Sequence, residues 1–307
     1  MNFTPSIDPH HFHNSRVSIG SFDGVHLGHQ ALIKRLVAKA QAEKSSAVVI
    51  TFWPHPSTFF KRAPQAYALT SPEERRELIC DLSVDEVLTM TFDQSLADLS
   101  ARQFMQFLKD TVDVKTLVAG PNFALGKGRE GTIENLKLLG QEMNFEVEVV
   151  DALTGSQGMI SSSLVRADLA DHRVKDAWQK LGRPYRLTGK VVHGEHRGTG
   201  LGVPTANLEY LPERLIPANG VYATRAIVNG KEYASVTNIG VRPTFENPLP
   251  VPRIEPHLLD MQEQLYQQTL SLEFIDFLRP EMKFSNSQEL VAQIQKDIAH
   301  TREIFTH

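Results

Sequence analysis

Two histidines set three residues apart open the chemical reading of this sequence. In the segment IGSFDGVHLGHQ, from Ile19 to Gln30, His26 and His29 would share one side of a helical turn. Two imidazoles near a helix N-terminus can receive a polyphosphate, donating hydrogen bonds to oxygens whose charge grows during group transfer. Gly20 and Gly24, flanking Phe22 and Asp23, permit a tight turn and a close backbone approach to a ligand. A pair of surface histidines, or half of a metal site, is the other reading of the same two residues.

A second cluster, ISSSLVR from Ile160 to Arg166, supplies three hydroxyls and a guanidinium ahead of a helix-like run. Ser162, Ser163 and Arg166 could contact phosphate. Simple capping of that helix by Ser161 or Ser162 is the alternative.

A third lies between Gly189 and Tyr210, GKVVHGEHRGTGLGVPTANLEY, where five glycines fall in a loop-and-strand setting. Gly189, Gly194 and Gly202 could cradle phosphates through backbone N–H groups, with Pro204 closing the loop. No GK[ST] follows, so this is no Walker A loop. Thr205 and Asn207, two apart, would point to one side of a strand. Their hydroxyl and amide oxygens suit Mg²⁺, which keeps phosphate and water among its ligands. Downstream, RIEPHLLD places Glu255 and His257 on one strand face. A carboxylate there could accept the proton of an alcohol that attacks a phosphoryl group.

These residues need a scaffold, and the pattern predicts two. From residue 15 to about 150, short apolar strands alternate with amphipathic helices. RVSIGSF and the run Ala47–Phe52 read as strands, the latter continuous enough for a buried parallel one. EVLTMTF, the run Thr116–Gly120 and EVEVVD follow. Leu32, Ile33, Leu36, Val37 and Ala40 carry helical spacing, and Ser71 followed by Pro72 marks a helix start. Such alternation implies a doubly wound α/β domain with a parallel sheet, which binds ligands at the carboxyl ends of its strands. After about residue 185, RLTGKVVHG, GVYATRAIV, KEYASVTNIG and TLSLEFIDFLR are strand-like, and Asn229-Gly230 is a strong hairpin signal. This predicts an antiparallel β-barrel or sandwich, closed by a helix over Ser287–Phe305. The boundary falls within Leu181–Arg186, giving domains 1–183 and 184–307.

The chain has 307 residues, of which 41% are hydrophobic and 22% charged, with a net charge of −4. That length suits two domains, and that charge provides no general basic field for nucleic acid. One cysteine, Cys80, excludes an intrachain disulfide and a Cys-rich zinc site; it reads as a core or half-buried residue. No apolar signal core or membrane-length run occurs, so a cytoplasmic location is expected. The polar start, with His10, His11 and His13, reads as a flexible terminus. Self-association is left open.

Taken together, these motifs resemble one family. HLGH, with SSSLVR near the domain end, is similar to the HxGH and SS(S/T)xxR signatures of adenylyl- and cytidylyltransferases. TFWPHP, from Thr51 to Pro56, and AGPNFALGKGREG, from Ala119 to Gly131, resemble segments of bacterial FAD synthetases. The run GxVxxG…RGxxLGxPTAN, NIGVRPTF, the Glu255–Asp260 stretch and FLRPEMKF resemble a riboflavin kinase module in order and spacing. The resemblance, over about residues 16 to 305, is to prokaryotic bifunctional riboflavin kinases/FAD synthetases.

It implies a Rossmann-like nucleotidyltransferase domain, then a riboflavin kinase barrel. In the first, Gly20, Phe22, Asp23, Gly24, His26, His29, Ser162, Ser163 and Arg166 would bind ATP. His55, Pro56, Asn122 and Phe123 would hold the flavin. In the second, Gly189, Gly194, Gly202, Pro204, Thr205 and Asn207 would bind Mg²⁺-ATP, and Glu255 would act as base. Riboflavin, FMN and FAD would be substrates or products. The sequence departs from the family pattern at Pro121, Leu125, Thr199, Gly200 and Val203. A FAD synthetase with an inactive kinase module, and a non-catalytic flavin-binding protein, stand as alternative readings.

Overall fold

A computed structural model describes residues 3–4, 12–151, 154–155, 158–193, 205–241, 252–261 and 265–306. The chain forms two compact units, Met1–Ser162 and Ser163–His307.

The first unit runs β1 (Phe3–Thr4), β2 (Ser15–Ile19), α1 (Leu27–Glu43), β3 (Ala47–Trp53), α2 (Pro56–Phe59), α3 (Pro72–Cys80), β4 (Glu86–Thr91), α4 (Gln94–Ala97), α5 (Ala101–Val112), β5 (Val114–Ala119), β6 (Ala124–Leu125), β7 (Gly131–Thr132), α6 (Ile133–Met143), β8 (Glu146–Val149), β9 (Thr154–Gly155) and β10 (Gly158–Met159). Its main sheet has the order β1-β4-β3-β2-β5-β8. Strands β4, β3, β2, β5 and β8 are parallel. Strand β1 adds an antiparallel edge, pairing Phe3 with Met90, so Phe3 and Thr4 within the polar start belong to the sheet.

The alternation of the strands divides the core. Val17, Ile19, Val48, Ile50, Leu88 and Met90 pack with Phe104, Met105 and Leu108 of α5 and Leu136 and Met143 of α6. Val49, Val87 and Val118 point the other way, onto Ile33, Leu36, Val37 and Ala40 of α1 and Ile79 of α3. Strand β3, inside the sheet, is thus buried on both faces, which explains its continuous apolar run. Chain order reverses between β2 and β5, so the ligand crevice of this topology opens beyond their carboxyl ends.

The second unit contains most of α7 (Ser162–Ala170), then α8 (Val174–Leu181), β11 (Tyr185–Val192), β12 (Asn207–Glu209), β13 (Gly220–Val228), β14 (Lys231–Gly240), β15 (Arg253–Leu258), β16 (Thr269–Arg279) and α9 (Ser287–Thr306). Helix α7 joins this unit through Leu169, whose carbonyl accepts Ala218 N–H at 3.0 Å. Strand order is β12-β11-β16-β13-β14-β15, antiparallel throughout. Ala206 N–H, just before β12, donates to the Pro256 carbonyl on β15 at 2.9 Å, bringing the two edges together into a nearly closed barrel.

Asn229 and Gly230 both have positive φ, 50° and 75°, as a two-residue type I′ hairpin turn requires between β13 and β14. Arg279 of β16 ties α9 to the barrel by a bidentate pair with buried Asp297, at 2.8 to 3.1 Å. No helix among the described residues is long and apolar enough to cross a membrane.

Candidate active site

In the first unit the segment after β2 folds back on itself before entering α1. Phe22, Gly24 and Val25 all have positive φ, 43°, 81° and 42°. For a β-branched residue such as Val25 this is a costly conformation, held only by what surrounds it. The turn delivers His26 to the N-cap of α1, where its Nδ1 accepts the N–H of His29 at 3.3 Å. With Nδ1 accepting, the neutral ring carries its proton on Nε2 and can donate there. The His26 and His29 rings stack, 3.6 Å between centroids, and Phe22 meets His29 edge-on at 5.2 Å. A Cβ at Gly28 would sit 3.1 Å from the His26 ring and 3.7 Å from the Ile160 carbonyl. The glycine between the histidines therefore leaves room for one of them.

Ser162 brings the second motif to the first: its Oγ donates to the Asp23 carbonyl at 2.8 Å. Ser163 is exposed and Arg166 is buried, both farther along α7. Ser162 and Arg166 are four apart and share a helix face. Asp23 is fully buried, its carboxylate accepting Leu69 N–H at 2.9 Å and Thr70 N–H at 3.2 Å. Its side chain therefore anchors the turn within the protein.

A cavity of about 640 Å³ opens beyond the carboxyl ends of the strands. His55, Pro56, Asn122 and Phe123 line it, together with Gly20. His55 caps α2, its Nδ1 accepting Ser57 N–H at 3.1 Å. The Arg129 guanidinium donates to the Asn122 carbonyl at 3.1 Å.

The sequence reading missed the aromatic wall of this cavity. Phe92 meets the rings of Phe52, Phe59 and Phe60 edge-on at 5.6, 5.3 and 5.7 Å, and Arg62 lies over Phe60 at 5.1 Å. Arg62, Lys127 and Arg129 put positive charge on the lining. The apolar residues of STFF and TFDQ were the available signal, but they come from three separate segments. A flat aromatic ring suits such a wall, and an attached phosphate suits the cations.

In the second unit, the Ala206–Pro256 bond sets Thr205 and Asn207 beside Glu255 and His257. On β15, Ile254, Pro256 and Leu258 are buried while Glu255 and His257 alternate with them on the more open face. Glu255 pairs directly with Asn238 of β14. Thr205 is exposed and Asn207 half-buried. Gly189 lies inside β11, where a Cβ would come within 2.1 Å of the Glu209 carbonyl oxygen. Its lack of a side chain is demanded by the close passage of β12. Gly194, Gly202 and Pro204, and the atypical Thr199, Gly200 and Val203, lie outside the described residues.

Comparison with known proteins finds a family match for each part of the chain. The FAD synthetase family model matches residues 8–164 and the riboflavin kinase family model residues 181–305. Proteins named bifunctional riboflavin kinase/FMN adenylyltransferase are similar along nearly their whole length. That of Bacillus subtilis is 36% identical over 97% of this chain and 96% of its own. That of Listeria monocytogenes is 35% identical over 95% and 93%, and that of Escherichia coli 35% identical over 94% and 92%. A crystal structure described as a macrolide-efflux protein from Streptococcus pneumoniae superposes with a TM-score of 0.85, at 30% identity over 96% of this chain and 97% of that one. With a paired-histidine turn and an aromatic cavity on a parallel sheet, a separate antiparallel barrel, and relatives matching end to end, the chain belongs to the bifunctional riboflavin kinase/FMN adenylyltransferase family.

Proposed function

We propose that the second unit phosphorylates riboflavin to FMN and the first adenylylates FMN to FAD, with ATP as the donor in both steps. The observation that carries the reading is the aromatic, cation-rimmed cavity at the strand ends, entered by the same Gly20–Ser21 backbone that leads to the stacked histidines. The functional modules are taken to meet at residues 183 and 184, just inside the start of the segment that the riboflavin kinase family model matches, whereas the compact units divide after Ser162.

In adenylyl transfer, a phosphate oxygen of FMN attacks the α-phosphorus of ATP, and pyrophosphate leaves as the P–O bond to the β-phosphate breaks. The nucleophile is already an anion, so the protein needs no general base. His26 and His29 hydrogen-bond the phosphates and offset charge on the departing oxygens, with Ser163 and Arg166 as further phosphate contacts. Gly20, Phe22, Asp23 and Gly24 shape the turn that receives ATP, and Ser162 holds that turn through Asp23. His55, Pro56, Asn122 and Phe123 hold the flavin.

In phosphoryl transfer, Glu255 accepts the proton of the ribityl 5′-hydroxyl, whose oxygen attacks the γ-phosphorus of ATP; ADP leaves. Gly189, Gly194, Gly202 and Pro204 belong to the segment that surrounds the nucleotide. Thr205 and Asn207 offer a hydroxyl and an amide oxygen, hard donors of the type Mg²⁺ takes. No group of three or more His, Cys, Asp and Glu among the described residues could hold a metal by itself. Two neutral oxygen donors fit an ion that shares ATP phosphates as ligands, and Thr205 and Asn207 would hold it. Bound there, Mg²⁺ would offset phosphate charge.

Purified protein with ATP and Mg²⁺, started separately from riboflavin and from FMN and followed by HPLC, tests the reading. FAD from both starting points is the expected result. FAD from FMN alone would remove the kinase step, and binding of flavin with no product from either would leave a binding protein.

A further inference from the structure

The turn that presents His26 and His29 is held from beneath by a charge pair completely withdrawn from solvent. Arg75 of α3 and Asp23 are both fully buried, Nη2 to Oδ1 3.4 Å. Such a pair returns little net stability for the hydration it gives up, so its position matters more than its strength.

Its connections converge on one short stretch of backbone. Arg75 Nη1 donates to Thr51 Oγ1 at 3.0 Å, and that hydroxyl donates onward to the Ser21 carbonyl at 3.0 Å. Arg75 Nε donates to Thr70 Oγ1 at 3.2 Å. The same Thr70 hydroxyl accepts Gly24 N–H at 3.3 Å and lies 3.3 Å from Asp23 Oδ1, to which it donates. A hydroxyl has one proton and two lone pairs, so Thr70 is saturated in this role. Residues 21, 23 and 24 are thus each tied to one guanidinium, and they bracket the left-handed Phe22 and precede the left-handed Val25.

We propose that Arg75 is a positioning residue for adenylyl transfer, fixing the 21–25 turn so that His26 and His29 stand ready for the ATP phosphates. The inference rests on the reading that this turn receives ATP. Arg75 lies behind the turn and touches no substrate. Lysine could replace its charge toward Asp23 but not its planar fork to Thr51, Thr70 and the Phe52 carbonyl.

The test compares wild type with Arg75→Lys and Thr70→Val, the second keeping the ion pair while removing the hydroxyl that joins it to Gly24. Four readouts are taken on the full chain: kcat and FMN KM for FAD formation, thermal stability as the check on folding, riboflavin phosphorylation as a control on the second unit, and the imidazole resonances of His26 and His29 in ¹³C-histidine-labelled protein without substrate. Misplacement of reacting groups predicts a fall in kcat of about ten- to a hundredfold. FMN KM should stay within about twofold, because most of the flavin cavity's lining, Pro56, Asn122 and Phe123 included, comes from outside the 21–25 turn. The His26 and His29 resonances should move while that of His193 stays. Those resonance shifts in the variants, together with a wild type that makes no FAD, would sink the adenylylation reading and leave the positioning of the turn supported. Unchanged kcat and resonances in both variants would overturn the proposal, as would kcat and FMN KM deteriorating together with thermal stability.

Discussion

Ser162 Oγ donates to the main-chain carbonyl of Asp23 at 2.8 Å, across 139 residues of sequence. The second serine of the SSSLVR segment is therefore a brace on the paired-histidine turn, and the proposed phosphate contact falls to Ser163. Ser162→Ala leaves that carbonyl without this donor, at about 1–3 kcal/mol when buried. The expected result is a loss of about five- to tenfold in kcat/KM for FAD formation, with riboflavin phosphorylation unchanged. An unaltered rate in steady-state kinetics would show the brace to be dispensable.

Gly28 lets activity and stability be separated. Alanine at this position within α1 favours the helix by up to about 1 kcal/mol, yet its Cβ would press the His26 ring from 3.1 Å. Gly28→Ala should melt no lower than wild type while FAD formation slows. Calorimetry and an HPLC rate on the same preparation check this, and parallel falls in both would contradict it.

Much of this was legible from residues alone. Strand β3 of the parallel sheet is buried on both sides, so it shows as an apolar run, and Ser71-Pro72 and Asn229-Gly230 marked a helix start and a hairpin by their own backbone chemistry. The histidine pair was visible because both members lie in one short segment. What stayed hidden depends on tertiary approach. The Phe52–Phe60–Phe92 wall joins separate segments, and the parts played by Asp23 and Gly189 depend on Thr70, Arg75 and β12, all distant in sequence. Strand β1 was missed because two residues in a polar terminus carry no periodicity, and pair only because the edge of β4 is there.

Gly189 shows what that last kind of constraint is worth. A side chain there meets the backbone oxygen of Glu209 rather than a movable group, so β11 and β12 must part. Overpacking of this sort costs about 1–3 kcal/mol. Gly189→Ala should lower the denaturant midpoint of the barrel unit and riboflavin phosphorylation while sparing FAD formation from FMN. A stable barrel with weaker ATP binding would instead assign this glycine to the nucleotide.

Tyr210 predicts the alkaline limit of the same unit. Its hydroxyl donates to the Pro252 carbonyl at 2.8 Å, and burial of the ring pushes its pKa from 10.0 up to about 12. Between those values the folded chain keeps a proton that the unfolded chain has lost. The stabilisation is therefore intact below pH 10 and is lost as pH rises through about 12. Tyr210→Phe should flatten the fall in denaturant midpoint between pH 10 and about 12. An identical slope would place the alkaline transition elsewhere.

The strongest demand is that the two chemistries fail separately. His29 stacks on His26 in the first unit, whereas Glu255 pairs with Asn238 on the barrel. Loss of an electrostatic donor to a transferring phosphoryl group costs about 10²–10³ in kcat, and loss of a general base about 10²–10⁴. His29→Ala should therefore stop FAD formation from FMN while riboflavin still becomes FMN, which accumulates. Glu255→Gln should do the reverse, with FAD formed from added FMN but not from riboflavin. Mixing the two variants should restore conversion of riboflavin to FAD, because free FMN made by one can be adenylylated by the other. If each variant loses both steps, the two reactions share a site and the division of labour argued from the two units is wrong.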